Sequence, residues 1–402
     1  MRCSAALLQR LPAGMARPGL PGPPARAGFP VAATDTPALL LDLAALERNC
    51  ARIKAALGPF PHVALRPHAK AHKSSAVAAM TLELTGARGV CCQKLCEAEA
   101  MVDGGINDIL LSNEIISQSK IERLCQLAAR PGVKLAVLVD DAGNVSDLAR
   151  EAARANIQLE VLVEVDVGQN RCGVAPGPAT AALASAIVSH SPALRFGGLQ
   201  CYHGLTQHIR SVAERRAAIL GPVLAATKAS IAACEAAGVW SPDLRVTGGG
   251  TGTFIFEAET GVFNEVQAGS FVLMDTDYTD NDAEDKVKFE PVLHCLATVM
   301  SRPLPERAVL DAGTKALDLG CGPPRFVGTK PGTATYRSGG DEHGIIDLSG
   351  AAVESDMFKV GSVVWVQPSH CDPTVNLHDW FVLHRDGIVQ DCVPIEARGP
   401  GR

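Results

Sequence analysis

The sequence predicts an α/β protein: a (β/α)8 barrel joined to a C-terminal, mainly antiparallel β domain. Three observations predict it. From Thr36 to about Asp280, short apolar, β-branched runs alternate with helix-length segments, the pattern of a parallel sheet covered on both faces. Eight such runs are present, the number that closes a barrel. After about Lys286, strand-like segments continue between Gly/Pro-rich loops with no convincing helix. A doubly wound open sheet is the alternative, but no G-x-G-x-x-G follows the first strand.

The elements follow in chain order. Residues 1–33 carry Arg2, Arg10, Arg17 and Arg26, no acidic residue, and a Pro/Gly-rich middle. This is the composition of an organellar transit peptide, which places the segment outside the fold. TPALLLDL, 36–43, reads as an early strand that can join the C-terminal domain. Leu43, Leu46, Cys50, Ile53 and Leu57 then form one apolar stripe, a helix over 43–57. The eight barrel strands are read at 63–66, 88–92, 107–112, 134–139, 158–165, 195–202, 244–248 and 269–274. Helices are read at 95–103, 118–130, 177–190 and 208–237. Beyond them, strands are read at 287–300, 307–312, 361–367 and 379–385. The expected division is a barrel over 44–284 and a β domain built from 34–43 and 285–402.

With 402 residues, 47% hydrophobic and 20% charged, the chain can bury a large core. A net charge of −6 gives no electrostatic footprint for nucleic acid. The 13 cysteines are odd in number, scattered and without a C-x-x-C pair, so they read as free thiols in a reducing compartment. No continuous apolar run approaches the ~18 residues of a membrane span, so no membrane partner is expected.

Chemistry concentrates at predicted strand ends. In RPHAKAHK, 66–73, a strand would place Arg66, His68, Lys70 and His72 on one face, turned either to water or to an anion. Crowded cations and burial would depress the Lys70 pKa and make it a nucleophile. EVDVGQNRCGV, 164–174, presents Arg171 from a glycine-containing loop, and GLQCYHG, 198–204, offers Tyr202 as a flat stacking partner. TGGGTGTF, 247–254, follows the seventh strand, where barrels bind phosphate. There Gly249, Gly250 and Thr251 can bring backbone N–H groups and a hydroxyl to an anion.

Together with CQKLCEAEA (92–100), DEHG (341–344) and PSHCDPTVNLHDWF (368–381), these motifs resemble the D-threonine aldolase and eukaryotic D-serine dehydratase family of alanine-racemase-type enzymes. The resemblance runs from about Thr36 to about Asp386. It implies pyridoxal 5′-phosphate as cofactor, with Lys70 rather than Lys73 as the Schiff-base lysine. It further implies Arg171 near the phenolic oxygen, Tyr202 and Gln93 beside the ring, and Gly249, Gly250 and Thr251 around the phosphate.

It also implies a divalent metal at His370 and Asp372, two residues apart and, on a continued strand, on one face. In this family His-x-Cys suits zinc and accompanies dehydratases, whereas His-x-Asp suits manganese, or magnesium or cobalt, and accompanies aldolases. The sequence His370-Cys371-Asp372 therefore favours an aldolase, with Cys371 turned away. His343 is read as a base or an orienter of metal-bound water; His378 and Asp379 are open between site support and packing. The expected function is retro-aldol cleavage of D-β-hydroxy-α-amino acids to glycine and an aldehyde, in a homodimer. The rival is D-serine dehydration, and the rival of another class is a non-catalytic pyridoxal-phosphate-binding homeostasis protein.

Overall fold

The computed structural model describes residues 21–282 and 287–401. Strand β1, Ala38–Asp42, ends in Asp42, whose side chain accepts from Ala44 N and Ala45 N and so starts the helix Leu43–Leu57. The barrel strands are β2 (Ala64–Leu65), β3 (Val90–Cys92), β4 (Asp108–Glu114), β5 (Lys134–Val139), β6 (Leu159–Glu164), β7 (Leu194–Gln200), β8 (Arg245–Gly248) and β9 (Glu265–Val266). They form one eight-stranded sheet in the order β2-β9-β8-β7-β6-β5-β4-β3, and every pairing is parallel. A bridge between His68 and Cys91 links its two edges.

Two strand readings need correction. The first strand is Ala64–Leu65; sheet bonds continue only as far as His68, whose side chain accepts from Lys70 N where the chain folds into the 3-10 turn Ala69–Ala71. Arg66, Lys70 and His72 therefore share no strand face. The eighth strand is β9, not 269–274, where Ser270–Val272 is another 3-10 turn. These two neighbouring strands are only two residues long each, too short to show periodicity.

The second sheet contains β10 (Leu293–Leu304), β11 (Arg307–Leu310), β12 (Arg325–Phe326), β13 (Ala334–Ser338), β14 (Gly344–Leu348), β15 (Val363–Gln367), β16 (Trp380–Arg385) and β17 (Ile388–Pro394). β1 lies at its centre, antiparallel to β10 and parallel to β16, so the chain's early strand is a strand of this sheet. One apolar cluster runs from Leu46 and Ile53 through Phe271 and Val272 to Val364 and Phe381, joining this sheet to the barrel.

Residues 21–33 do not lie outside the fold as the composition suggested. Gly28 N and Val31 N bond to Val389 O and Gly387 O, Trp380 Nε1 donates to Pro21 O, and Val31 is 2% exposed. The part of that reading covering 1–20 lies outside the described residues. The membrane reading also changes: the helical run Val212–Ala236 is long and apolar enough to cross a membrane by length and composition. It continues through a π turn at Pro222 and buries Ile219, Val223, Thr227, Ser230 and Cys234 on one side, with Ser230 Oγ accepting from Gly177 N.

Candidate active site

The barrel has a cavity at each mouth. The N-terminal one is larger, about 850 Å³, and open, but its buried charges are paired. Arg66 binds Glu265 at 2.9 Å and Asp108 at 2.7 Å, and Arg195 and Arg245 both bind Glu160. Arg66 is thus no neighbour of Lys70's chemistry.

The C-terminal cavity, about 240 Å³, brings together Lys70, Gln93, Arg171, Tyr202, Gly250, Thr251 and His370, contributed by segments from 70 to 370 of the chain. Lys70 reaches it from the 3-10 turn after β2, and its Nζ is ion-paired with Asp372 Oδ1. Burial pulls the Lys70 pKa down, but the Asp372 carboxylate outweighs it and the pKa is raised. The expected depression by neighbouring cations is absent, because burial holds His68 near 3 and His72 near 4, both neutral. Lys73 Nζ is bound 2.6 Å from buried Glu97 and stands away from the cavity.

Among the described residues, the backbone N–H groups of Gly249, Gly250 and Thr251 make no hydrogen bond, although the loop's other groups are engaged. Gly248 O and Gly249 O accept from Gln267 N, and Gly252 N donates to Gln207 Oε1. Gly249 has φ +70°, and a Cβ on Gly250 would collide with the Gln207 side chain. Glycine is therefore required to keep this cup of donors open. Arg171 extends from the loop after β6, 3.7 Å from buried Glu164. Tyr202 follows β7, and Gln93 follows β3 with its N–H on Glu97 at 2.7 Å. The residues fit a phosphorylated aromatic aldehyde: an amine at one end, an anion cup at the other, and a phenol ring and amide between.

His370 and Asp372 converge, but not by strand alternation. β15 ends at Gln367; His370 caps the short helix Cys371–Val375 and Asp372 lies in its first turn. His370 Nδ1 is held 2.9 Å from Asp275 Oδ2, leaving Nε2 3.8 Å from Asp372 Oδ2, and that oxygen is buried without a partner. One ring nitrogen and one orphaned carboxylate oxygen facing the same space fit a divalent cation. Cys371 turns away, its Sγ donating to Met274 O.

Three residues fall outside this arrangement. His343 is exposed in the β13–β14 hairpin and does not line the cavity, because that hairpin lies at the far edge of the second sheet. His378 Nε2 bonds Ala316 O and Asp379 pairs with Arg398, so both are structural.

Sequence reasoning missed Asp275 and His208. Asp275, fully buried, fixes both His370 Nδ1 and Cys371 N. His208 lines the cavity with Nδ1 2.6 Å from Asp277, whose carboxyl is held near 2; Nε2 makes no hydrogen bond among the described residues. This is the arrangement of a general base whose tautomer is set by a carboxylate. The available signal was MDTD, 274–277, a pair of carboxylates at the end of the segment read as the eighth strand.

The model for the alanine racemase N-terminal domain matches residues 41–277. The chain belongs to that family. The match is followed, over 292–384, by a putative serine dehydratase domain, a range that takes in most of the second sheet. The chain is 45% identical over 386 residues to a D-threonine aldolase of Arthrobacter sp, covering 94% of this chain and 97% of that one. It is 40% identical to 3-hydroxy-D-aspartate aldolase of Paracoccus denitrificans, covering 94% and 96%. The crystal structure of D-threonine aldolase from Filomicrobium marinum superposes with a TM-score of 0.88 at 42% identity, covering 94% of this chain and 99% of that one.

Proposed function

We propose that this protein is a pyridoxal-phosphate- and divalent-metal-dependent D-threonine aldolase, a carbon-carbon lyase that cleaves D-β-hydroxy-α-amino acids to glycine and an aldehyde. The observation that carries it is the meeting of Lys70 and His370 in one cavity, from opposite ends of the sequence, with Asp372 against both and Cys371 turned out. The 45% and 40% identical relatives, both named as aldolases, support the same reaction.

When bound, pyridoxal phosphate supplies an aldehyde carbon for an amine and a conjugated ring that takes up the Cα–Cβ electron pair, and a divalent cation supplies charge that acidifies a hydroxyl. Lys70 is the amine, and Gly249, Gly250 and Thr251 hold the phosphate. Arg171, Tyr202 and Gln93 fix the ring between them. Lys70 is kept charged by Asp372; its release both activates the amine and frees a carboxylate oxygen. His370 and Asp372 hold the cation. Manganese suits their nitrogen and oxygen donors best, with magnesium, cobalt or zinc as alternatives. His208, not His343, takes the β-hydroxyl proton on Nε2, while Asp277 stabilises the resulting positive ring. Two further parts of the reading rest on resemblance and composition: the enzyme works as a homodimer, and its arginine-rich, acid-free N-terminus directs it to a mitochondrion or chloroplast.

The test is product identification from D-threonine: glycine and acetaldehyde in a chelator-sensitive reaction support the proposal. Ammonia and a keto acid without glycine establish the dehydratase instead, and a cofactor absorbance band without turnover establishes a binding protein.

A further inference from the structure

Directly behind the glycine cup lies a carboxyl that the proposed reaction does not use. Glu257, in the helix Phe254–Glu259, is 1% exposed. Its Oε1 accepts from Thr253 Oγ1 at 2.9 Å, and its Oε2 is buried with no partner. A Cβ built on Gly249 would lie 3.1 Å from that oxygen, so the carboxyl touches the backbone whose unbonded N–H groups form the cup. Thr253 is tied to the cup as well, since its Oγ1 also accepts from Gln207 Nε2 while Gln207 Oε1 holds Gly252 N.

From this geometry we infer that Glu257 is a positioning residue that makes phosphate binding proton-linked: the cup holds a phosphate dianion only while Glu257 is a neutral acid. An ionised carboxylate against the Gly249 backbone would place two anionic groups on opposite sides of one peptide, in a buried setting where water screens little. A neutral acid removes that repulsion and keeps the Thr253 bond. By linkage, phosphate and proton each favour the other's binding.

The surroundings leave Glu257 as the group that titrates. Burial, countered by its own backbone N–H and by Thr253, places its pKa at about 7, and no ionised side chain contributes. The neighbouring guanidinium of Arg215 is spent on the carbonyls of Gly252, Ile209, Arg210 and Asp282. Tyr202, which feels Glu257, has its own pKa raised by burial. Arg216 lies over Phe256 and pairs with Glu259, and Glu265 on β9 is held by Arg66.

This inference rests on the cup being the phosphate site of the proposed function. The probe is pyridoxine 5′-phosphate, which has the phosphate but no aldehyde, so Lys70 chemistry does not enter. Binding to the full chain is followed by protein fluorescence from pH 7 to 9. The wild-type dissociation constant should rise by about tenfold per pH unit relative to Glu257→Gln. Calorimetry at pH 8 in buffers of different ionisation enthalpy should show about one proton taken up per probe by the wild type, which decides the matter even where the variant fails to fold. Parallel pH profiles, or binding without proton uptake, overturn the role of Glu257 alone. No binding at any pH overturns the phosphate cup and the inference with it.

Discussion

The barrel's two mouths are lined with similar residues and differ in what those residues have left to give. At the N-terminal mouth, the buried arginine Arg66 is closed by Glu265 and Asp108, and Glu160 is shared by two further arginines. At the smaller C-terminal mouth, donors and acceptors are left over: three N–H groups of the glycine loop, Asp372 Oδ2 and His208 Nε2. Unsatisfied buried polar groups cost about 1–3 kcal/mol each, so their clustering at one end marks where a ligand restores the bonds. Volume alone would have chosen the wrong mouth.

The contrast can be broken by mutation at either end. The largest effect is expected from Lys70→Ala, which should abolish both glycine release and the visible cofactor band while leaving the fold, measured by circular dichroism, intact. Next, His208→Ala should lower kcat by about 10²–10⁴ with the band retained; an unchanged kcat would remove the His208–Asp277 pair from catalysis. Asp275→Asn, which loosens His370 without touching the cofactor, should weaken metal affinity by about 10–100-fold in a metal titration. At the other mouth, Arg66→Ala strands two carboxylates, Glu265 among them buried, and should cost about 3–5 kcal/mol in denaturant unfolding. Its kcat per folded molecule should stay at the wild-type value.

A smaller effect lies in the second sheet. Burial lowers His294 to about 4 and also lowers His384, whose two ring nitrogens are buried without partners. Both are neutral in the folded protein and take up protons more readily when unfolded. Their contribution is therefore present above the unfolded value near 6.5 and is lost as pH falls below it, at up to about 1.4 kcal/mol per unit for each fully buried ring. A melting temperature that falls between pH 7 and pH 5, and falls less in His384→Phe, would bear this out.

The barrel was legible because its inner strands, such as KLAVLV and LEVLVE, are continuous apolar runs that a parallel sheet demands. Its first and eighth strands were not, because β2 and β9 are two residues each and the backbone after His68 folds into a turn in which the His68 side chain accepts from Lys70 N. Lys70 and the His370–Asp372 pair were legible as residue types, while their geometry was not: Lys70 and Asp372 are 302 positions apart, and their ion pair reverses the expected direction of the lysine's pKa. Asp275 and His208 were missed for the same reason, since each acquires its role from a partner 95 or 69 positions away. His343 looked reactive beside two carboxylates, yet an exposed hairpin carries it away from the cavity.

The most direct test of the central claim is to incubate the metal-loaded holoenzyme with D-threonine and with D-serine in parallel and identify the products. The account predicts glycine and acetaldehyde from D-threonine, lost on chelation and absent in Lys70→Ala. Pyruvate and ammonia from D-serine, with no glycine from D-threonine, would contradict it.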